Sequence, residues 1–124
     1  MKMKTILVID DDEDSHFIFS AFLEDTYKVM TFLNWKEVEE FAKQEIPNLI
    51  LLDISMPHED GFAVLKHIRA NSHLKNIPVI ALTAYALDED NKKFLKHSFD
   101  GFISKPIYEN QLRKLITHTF ENKK

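Results

Sequence analysis

Five short apolar runs, each rich in β-branched or aliphatic residues, alternate along this chain with stretches of helical periodicity. The runs are "TILVID" (5–10), "YKVMTF" (27–32), "NLILLD" (48–53), "IPVIALT" (77–83) and "GFIS" (101–104). Most are apolar throughout, without the in-out alternation of a half-solvated strand. That is the signature of strands covered on both faces, hence of a parallel sheet. Parallel strands need crossovers, and the intervening segments supply them. They read as helices over 13–24, from Asn34 up to Pro47, and over 60–70, 86–98 and 108–121.

Helical wheels assign the buried faces. Ser15, Ile18, Phe19, Phe22 and Leu23 share one side of the first helix, and Phe17 points away. Trp35, Val38, Phe41 and Ala42 face inward on the second, which opens on an Asn34/Glu37 capping pair. Phe62, Leu65 and Ile68 do so on the third, Leu87, Phe94 and Leu95 on the fourth, and Leu112, Leu115, Ile116 and Phe120 on the last.

The chain has 124 residues, 44% of them apolar, including ten Phe. That is enough for one core in one domain, and too apolar for disorder. The net charge of −4 and the absence of a basic cluster argue against a nucleic-acid partner. With no Cys, a disulfide framework and a thiolate zinc site are both excluded. No apolar run approaches the length of a membrane span, so no membrane insertion is expected. The N-terminal apolar run ends in acids instead of a cleavage site, so it is not a signal peptide. The six His are scattered and read as solvated surface residues.

In parallel α/β sheets the functional crevice lies beyond the C-terminal strand ends. Those ends hold Asp10 and Asp11, then Asp53, then Thr83, then Ser104, Lys105 and Pro106. Three carboxylates, a hydroxyl and an ammonium therefore converge on one edge. At an effective dielectric of 20, two carboxylates in close contact repel by on the order of 4 kcal/mol. One Lys does not offset three such charges, which leaves a protonated acid or a bound cation. Hard oxygen donors without imidazole or thiolate select Mg²⁺, with Mn²⁺ second. A hydroxyl and a Lys beside such a metal suit phosphoryl oxygens, so phosphoryl transfer to a carboxylate is the expected chemistry. A calcium loop fails on spacing, since Ser15 stands at the sharp-turn position and Ala21 at the closing acid.

The blocks "ILVIDDDED", "LILLDISMPHEDGF", "VIALTAY" and "GFISKPI" resemble the signature blocks of bacterial response-regulator receiver domains, the fold of the chemotaxis response regulator. The resemblance spans essentially the whole chain. It implies a five-stranded parallel sheet in the order 2-1-3-4-5 with five helices on both faces, a flavodoxin-like arrangement. It implies Asp53 as phosphoacceptor, Asp11 as a direct Mg²⁺ ligand, Asp10 acting through water, and the Ser55 backbone carbonyl as a further ligand. Thr83 and Lys105 would hold the phosphoryl group, and Pro106 would be a cis proline shaping that loop. Phe102 matches an aromatic switch position. The fourth helix, fifth strand and fifth helix would form the signalling face.

The implied protein is a cytoplasmic signalling phosphoprotein, not an enzyme, although it would assist its own phosphorylation and dephosphorylation. Its partners would be a sensor histidine kinase or a histidine phosphotransfer protein, and a downstream target protein. The whole chain, 1–124, is expected to be one such domain with no output domain. "ALTAYAL" and "ISKPI" are similar to receivers of hybrid-kinase phosphorelays.

Three departures stand out. Ser98-Phe99 replace a small pair before the fifth strand, which leaves the end of the fourth helix open. Glu59 adds an acid near the site. Ser55 and Tyr85 occupy positions that tune phosphoryl lifetime in the family. Two other readings remain. A haloacid-dehalogenase-type phosphatase would use Asp10-x-Asp12 as nucleophile and acid, but Asp14 is wrong for its motif. A receiver-like module that is never phosphorylated would keep the fold and lack the chemistry.

Overall fold

The computed structural model describes residues 3–84 and 88–122. In chain order the elements are β1 (Thr5–Ile9), α1 (Glu13–Leu23), β2 (Lys28–Phe32), α2 (Trp35–Ala42), β3 (Leu49–Asp53), α3 (Gly61–Ala70), β4 (Val79–Thr83), α4 (Glu89–Ser98), β5 (Gly101–Ser104) and α5 (Glu109–Asn122). The strands form one parallel sheet in the order β2-β1-β3-β4-β5, as expected.

Strand parity divides the core in two. Leu7, Ile9, Ile50, Leu52, Val79 and Ala81 point to one face, where α2, α3 and α4 cover them with Trp35, Val38, Ala42, Val64, Leu65, Ile68 and Leu95. Ile6, Val8, Leu49, Leu51, Ile80, Leu82 and Ile103 point to the other, under Phe19 and Leu23 of α1 and Leu112 and Ile116 of α5. The central strands are apolar throughout because both of their faces are dry.

Acidic and amide side chains start the helices. Asp12, Asn34, Asp60 and Asp88 cap α1 to α4, each accepting a backbone N–H two or three residues on. At α2 the Asn34/Glu37 pair works as expected from one side: Asn34 accepts from Glu37 N at 3.0 Å. In return, Glu37 reaches back to Leu33 N, at 2.8 Å.

Some wheel assignments need correction. Ile18 is 43% exposed, because the buried stripe of α1 runs through Phe19 and Leu23, and Ile18 lies at its margin beside Pro106 and Ile107. Phe94 is 54% exposed on the outer side of α4, where its ring rests on Phe62 with centroids 5.5 Å apart. Phe17 is 77% exposed, as expected. Leu87 lies outside the described residues. The unusual Ser98-Phe99 pair ends α4 cleanly. Phe99 leaves the helix in an extended conformation and buries its ring against Phe62, at 5.9 Å.

The chain crosses over β1 on its way from β2 to β3. Asp10, just after β1, and Asp53, the last residue of β3, therefore stand side by side at the point where winding direction reverses. Close packing next to Asp53 depends on Gly61. A Cβ there would come 2.5 Å from the Ile54 Cα, against backbone that cannot turn aside. A Cβ at Gly101 would meet only the end of the Leu115 side chain, at 3.0 Å. Gly61→Ala is therefore expected to cost about 1–3 kcal/mol by overpacking. Gly101→Ala should cost clearly less. The midpoints of urea unfolding check the ranking, and equal midpoints would contradict it.

Candidate functional site

The strand-end residues meet in one crevice. Asp10 is fully buried, at 0% exposure, and Asp53 nearly so, at 3%. Asp10 keeps its place because its backbone N–H extends the β1–β2 ladder to Phe32 O, 3.0 Å, and its Oδ1 accepts from Asp12 N, 3.0 Å. Asp53 Oδ1 accepts from Ser55 N at 2.8 Å. Lys105 reaches across the sheet edge from the end of β5. Its Nζ donates to Asp53 Oδ2 at 3.0 Å and to Asp10 Oδ2 at 3.3 Å. Its backbone N–H bonds Thr83 O at 2.7 Å, and the Lys105–Pro106 peptide is cis. Thr83 is buried at the end of β4. Asp11 is half-buried, and one carboxylate oxygen from each of Asp10, Asp11 and Asp53 lies within 4.8 Å of the others.

The remaining expected residues lie around this centre. Ser55 is half-buried, and its hydroxyl accepts from Ala84 N at 3.0 Å, a tie that the sequence does not signal. Phe102 is half-buried on β5, against the core face shared with α4. Pro106 is exposed. Tyr85 lies outside the described residues. Glu59 does not join the three acids. Its Oε1 accepts from Trp35 N at 3.0 Å, which ties the β3–α3 loop to the start of α2. Trp35 in turn stacks on His67, with centroids 5.5 Å apart and planes at 12°.

The reading of all six histidines as solvated also needs correction. His16 is half-buried on α1, with Nε2 2.5 Å from the carbonyl oxygen of Asp10. An i, i+6 reach from a helix back to the strand before it has no periodic signature, so sequence alone does not show it.

The electrostatics are strained in a specific direction. Burial raises the Asp10 pKa, the Asp53 charge raises it further, and the bonds from Asp12 N and Lys105 only partly compensate. Burial would lower the Lys105 pKa, but its bond to Asp53 and the two carboxylate charges outweigh that, and the net direction is up. With a folded pKa above its unfolded value, ionised Asp10 subtracts stability at neutral pH, and the loss fades as pH falls toward the ordinary carboxylate range.

Three hard oxygen donors and one ammonium leave an excess of two negative charges. The set fits a small divalent cation of the Mg²⁺ kind, and among the described residues no other such cluster of acids and histidines is found. If repulsion dominates in chelator, Asp11→Ala should raise the melting temperature there and remove the stabilisation by added Mg²⁺. An unchanged or lowered melting temperature in chelator would count against the clustered charge.

Comparison with known proteins agrees with this geometry. Residues 6–117 match the family model described as "Response regulator receiver domain". The polar-differentiation response regulator DivK of Brucella anthropi is 32% identical over 105 residues, covering 84% of this chain and 85% of that protein. An uncharacterised 14.6 kDa protein of Leptolyngbya boryana is 36% identical over 112 residues, covering 90% and 86%. Among solved structures, the chemotaxis response regulator CheY4 of Vibrio cholerae superposes with a TM-score of 0.83 at 26% identity, covering 95% of this chain and 99% of that one. The receiver domain of the sensor histidine kinase PA1611 from Pseudomonas aeruginosa shares the fold, with a TM-score of 0.83 at 24% identity over 98% and 100% of the two chains. That domain carries magnesium in its active site cleft. The order of the strands, the three acids at their ends and the match along the chain have one explanation: this chain belongs to the response regulator receiver domain family.

Proposed function

We propose that Asp53 is a phosphoacceptor in a two-component or phosphorelay system. The donor would be a phosphohistidine of a sensor kinase or a phosphotransfer protein. An Asp53 carboxylate oxygen attacks phosphorus, a P–O bond forms, and the P–N bond to the donor imidazole breaks, with the imidazole leaving to take up a proton. The observation that carries this reading is Lys105 Nζ, bonded to both buried carboxylates at 3.0 and 3.3 Å. It holds Asp53 ionised and oriented, and offers a cation to the incoming phosphoryl oxygens. Thr83, buried at the end of the next strand, would bond one of those oxygens.

Asp10, Asp11, Asp53 and the Ser55 carbonyl would hold Mg²⁺, which when bound neutralises charge on the carboxylates and the phosphoryl group. The magnesium in the PA1611 receiver supports this choice of metal. The readout would pass through Thr83 and Phe102 to the face of α4, β5 and α5, where a downstream protein docks. Among the described residues no helix is long and apolar enough to cross a membrane; a cytoplasmic place beside a kinase domain fits the reading.

The phosphatase reading is weakened at Asp12. That side chain caps α1 by accepting from Asp14 N at 2.9 Å, so it is engaged away from the crevice a general acid would have to face.

Incubation with acetyl phosphate and Mg²⁺, followed by intact mass, tests the proposal. One phosphoryl adduct is expected in the wild-type chain and none in Asp53→Asn. Sustained phosphate release that depends on Asp10 would favour the phosphatase, and absence of any adduct would favour a module that is never phosphorylated.

A further inference from the structure

The ladder between β3 and β4 ends in an irregular step. Ile54 N–H bonds Leu82 O at 2.9 Å, the last regular rung. Two residues on, the Ala84 N–H bonds the hydroxyl of Ser55 at 3.0 Å. The Ser55 backbone N–H meanwhile bonds Asp53 Oδ1 at 2.8 Å. One residue thus links the buried carboxylate to the first backbone donor after Thr83. Both ends of the link are accessible, since Ser55 is half-buried and Ala84 exposed.

We propose that the Ser55 hydroxyl is a latch on the β4–α4 connection. It occupies the Ala84 N–H while Asp53 is unmodified and yields it to a phosphoryl oxygen when Asp53 is modified. The inference rests on the phosphoacceptor reading above. Its physical basis is competition for a single donor. A hydroxyl is a neutral acceptor, whereas a phosphoryl group presents three oxygens with a charge of roughly −1.5 to −2. A hydrogen bond to a charged acceptor is about twice as strong as one between neutral groups. The phosphoryl group wins the donor, and the connection moves with it.

Two arrangements that share one donor form a two-state element, whose populations follow the difference between the two bonds. Ser55 weights the resting arrangement. It touches no reacting atom through its hydroxyl and acts through Ala84, so it is a positioning residue. The role depends on residue type. Thr keeps a hydroxyl in reach, and Ala has no acceptor at all.

The test uses the full chain with Mg²⁺ and beryllium fluoride, a mimic of a carboxylate-bound phosphoryl group, followed through the Ala84 amide resonance. In Ser55→Ala that resonance is expected to leave its wild-type position before any probe is added, toward the loaded position. Half-saturation by beryllium fluoride at constant Mg²⁺ should fall roughly fivefold, the equivalent of one net hydrogen bond. Ser55→Thr should stay near wild type in both readouts. A Ser55→Ala chain with wild-type resonance and wild-type or weaker half-saturation overturns the latch and leaves the phosphoacceptor reading standing. A wild-type chain that never saturates overturns that reading, and the latch with it.

Discussion

Like charge forced together at the open edge of a sheet is the constraint on which the rest of this structure turns. Asp10 and Asp53 are buried side by side because the winding reverses between β1 and β3. Neither would tolerate burial without a cation. Lys105 supplies one, and it does so from 95 residues beyond Asp10 and 52 beyond Asp53. The bridge therefore exists only when all five strands are in order. Folding and assembly of the site are one event, and the site cannot form on any fragment that lacks β5.

The fold was legible because burial on both faces leaves a plain mark. Runs such as Leu49 to Leu52 have no polar residue to spare for solvent, and only a covered parallel sheet uses strands of that kind. The acids at the strand ends were legible for the converse reason: a charge that stops an apolar run marks where the strand leaves the core. Side chains at the margin of a helix stripe were not legible. Ile18 and Phe94 sit about 100° from buried neighbours, and whether such a position is covered depends on what packs alongside. For Phe94 that neighbour is a ring from α3, a tertiary choice with no local signal.

Ties between loops were the least legible part of the site. His16 to the Asp10 carbonyl, Ser55 to Ala84 N and Glu59 to Trp35 N each join a side chain to a backbone atom. A backbone atom has no residue type, so no pattern of letters can mark it as a partner. Glu59 shows how misleading composition is on this point. It counts as one more acid near three others, yet it serves the first turn of a different helix.

That last tie has an optical consequence. Trp35 is the chain's single indole. It stacks on His67 of α3 and is held at its backbone by Glu59, from the loop that follows Asp53. Its emission depends on the stacked imidazole and on the polarity of the α2–α3 seam. Any movement of the β3–α3 loop on ligation would be transmitted to that seam through a single hydrogen bond. The protein thus carries its own unlabelled fluorescent gauge of the metal-binding loop, set apart from the site itself.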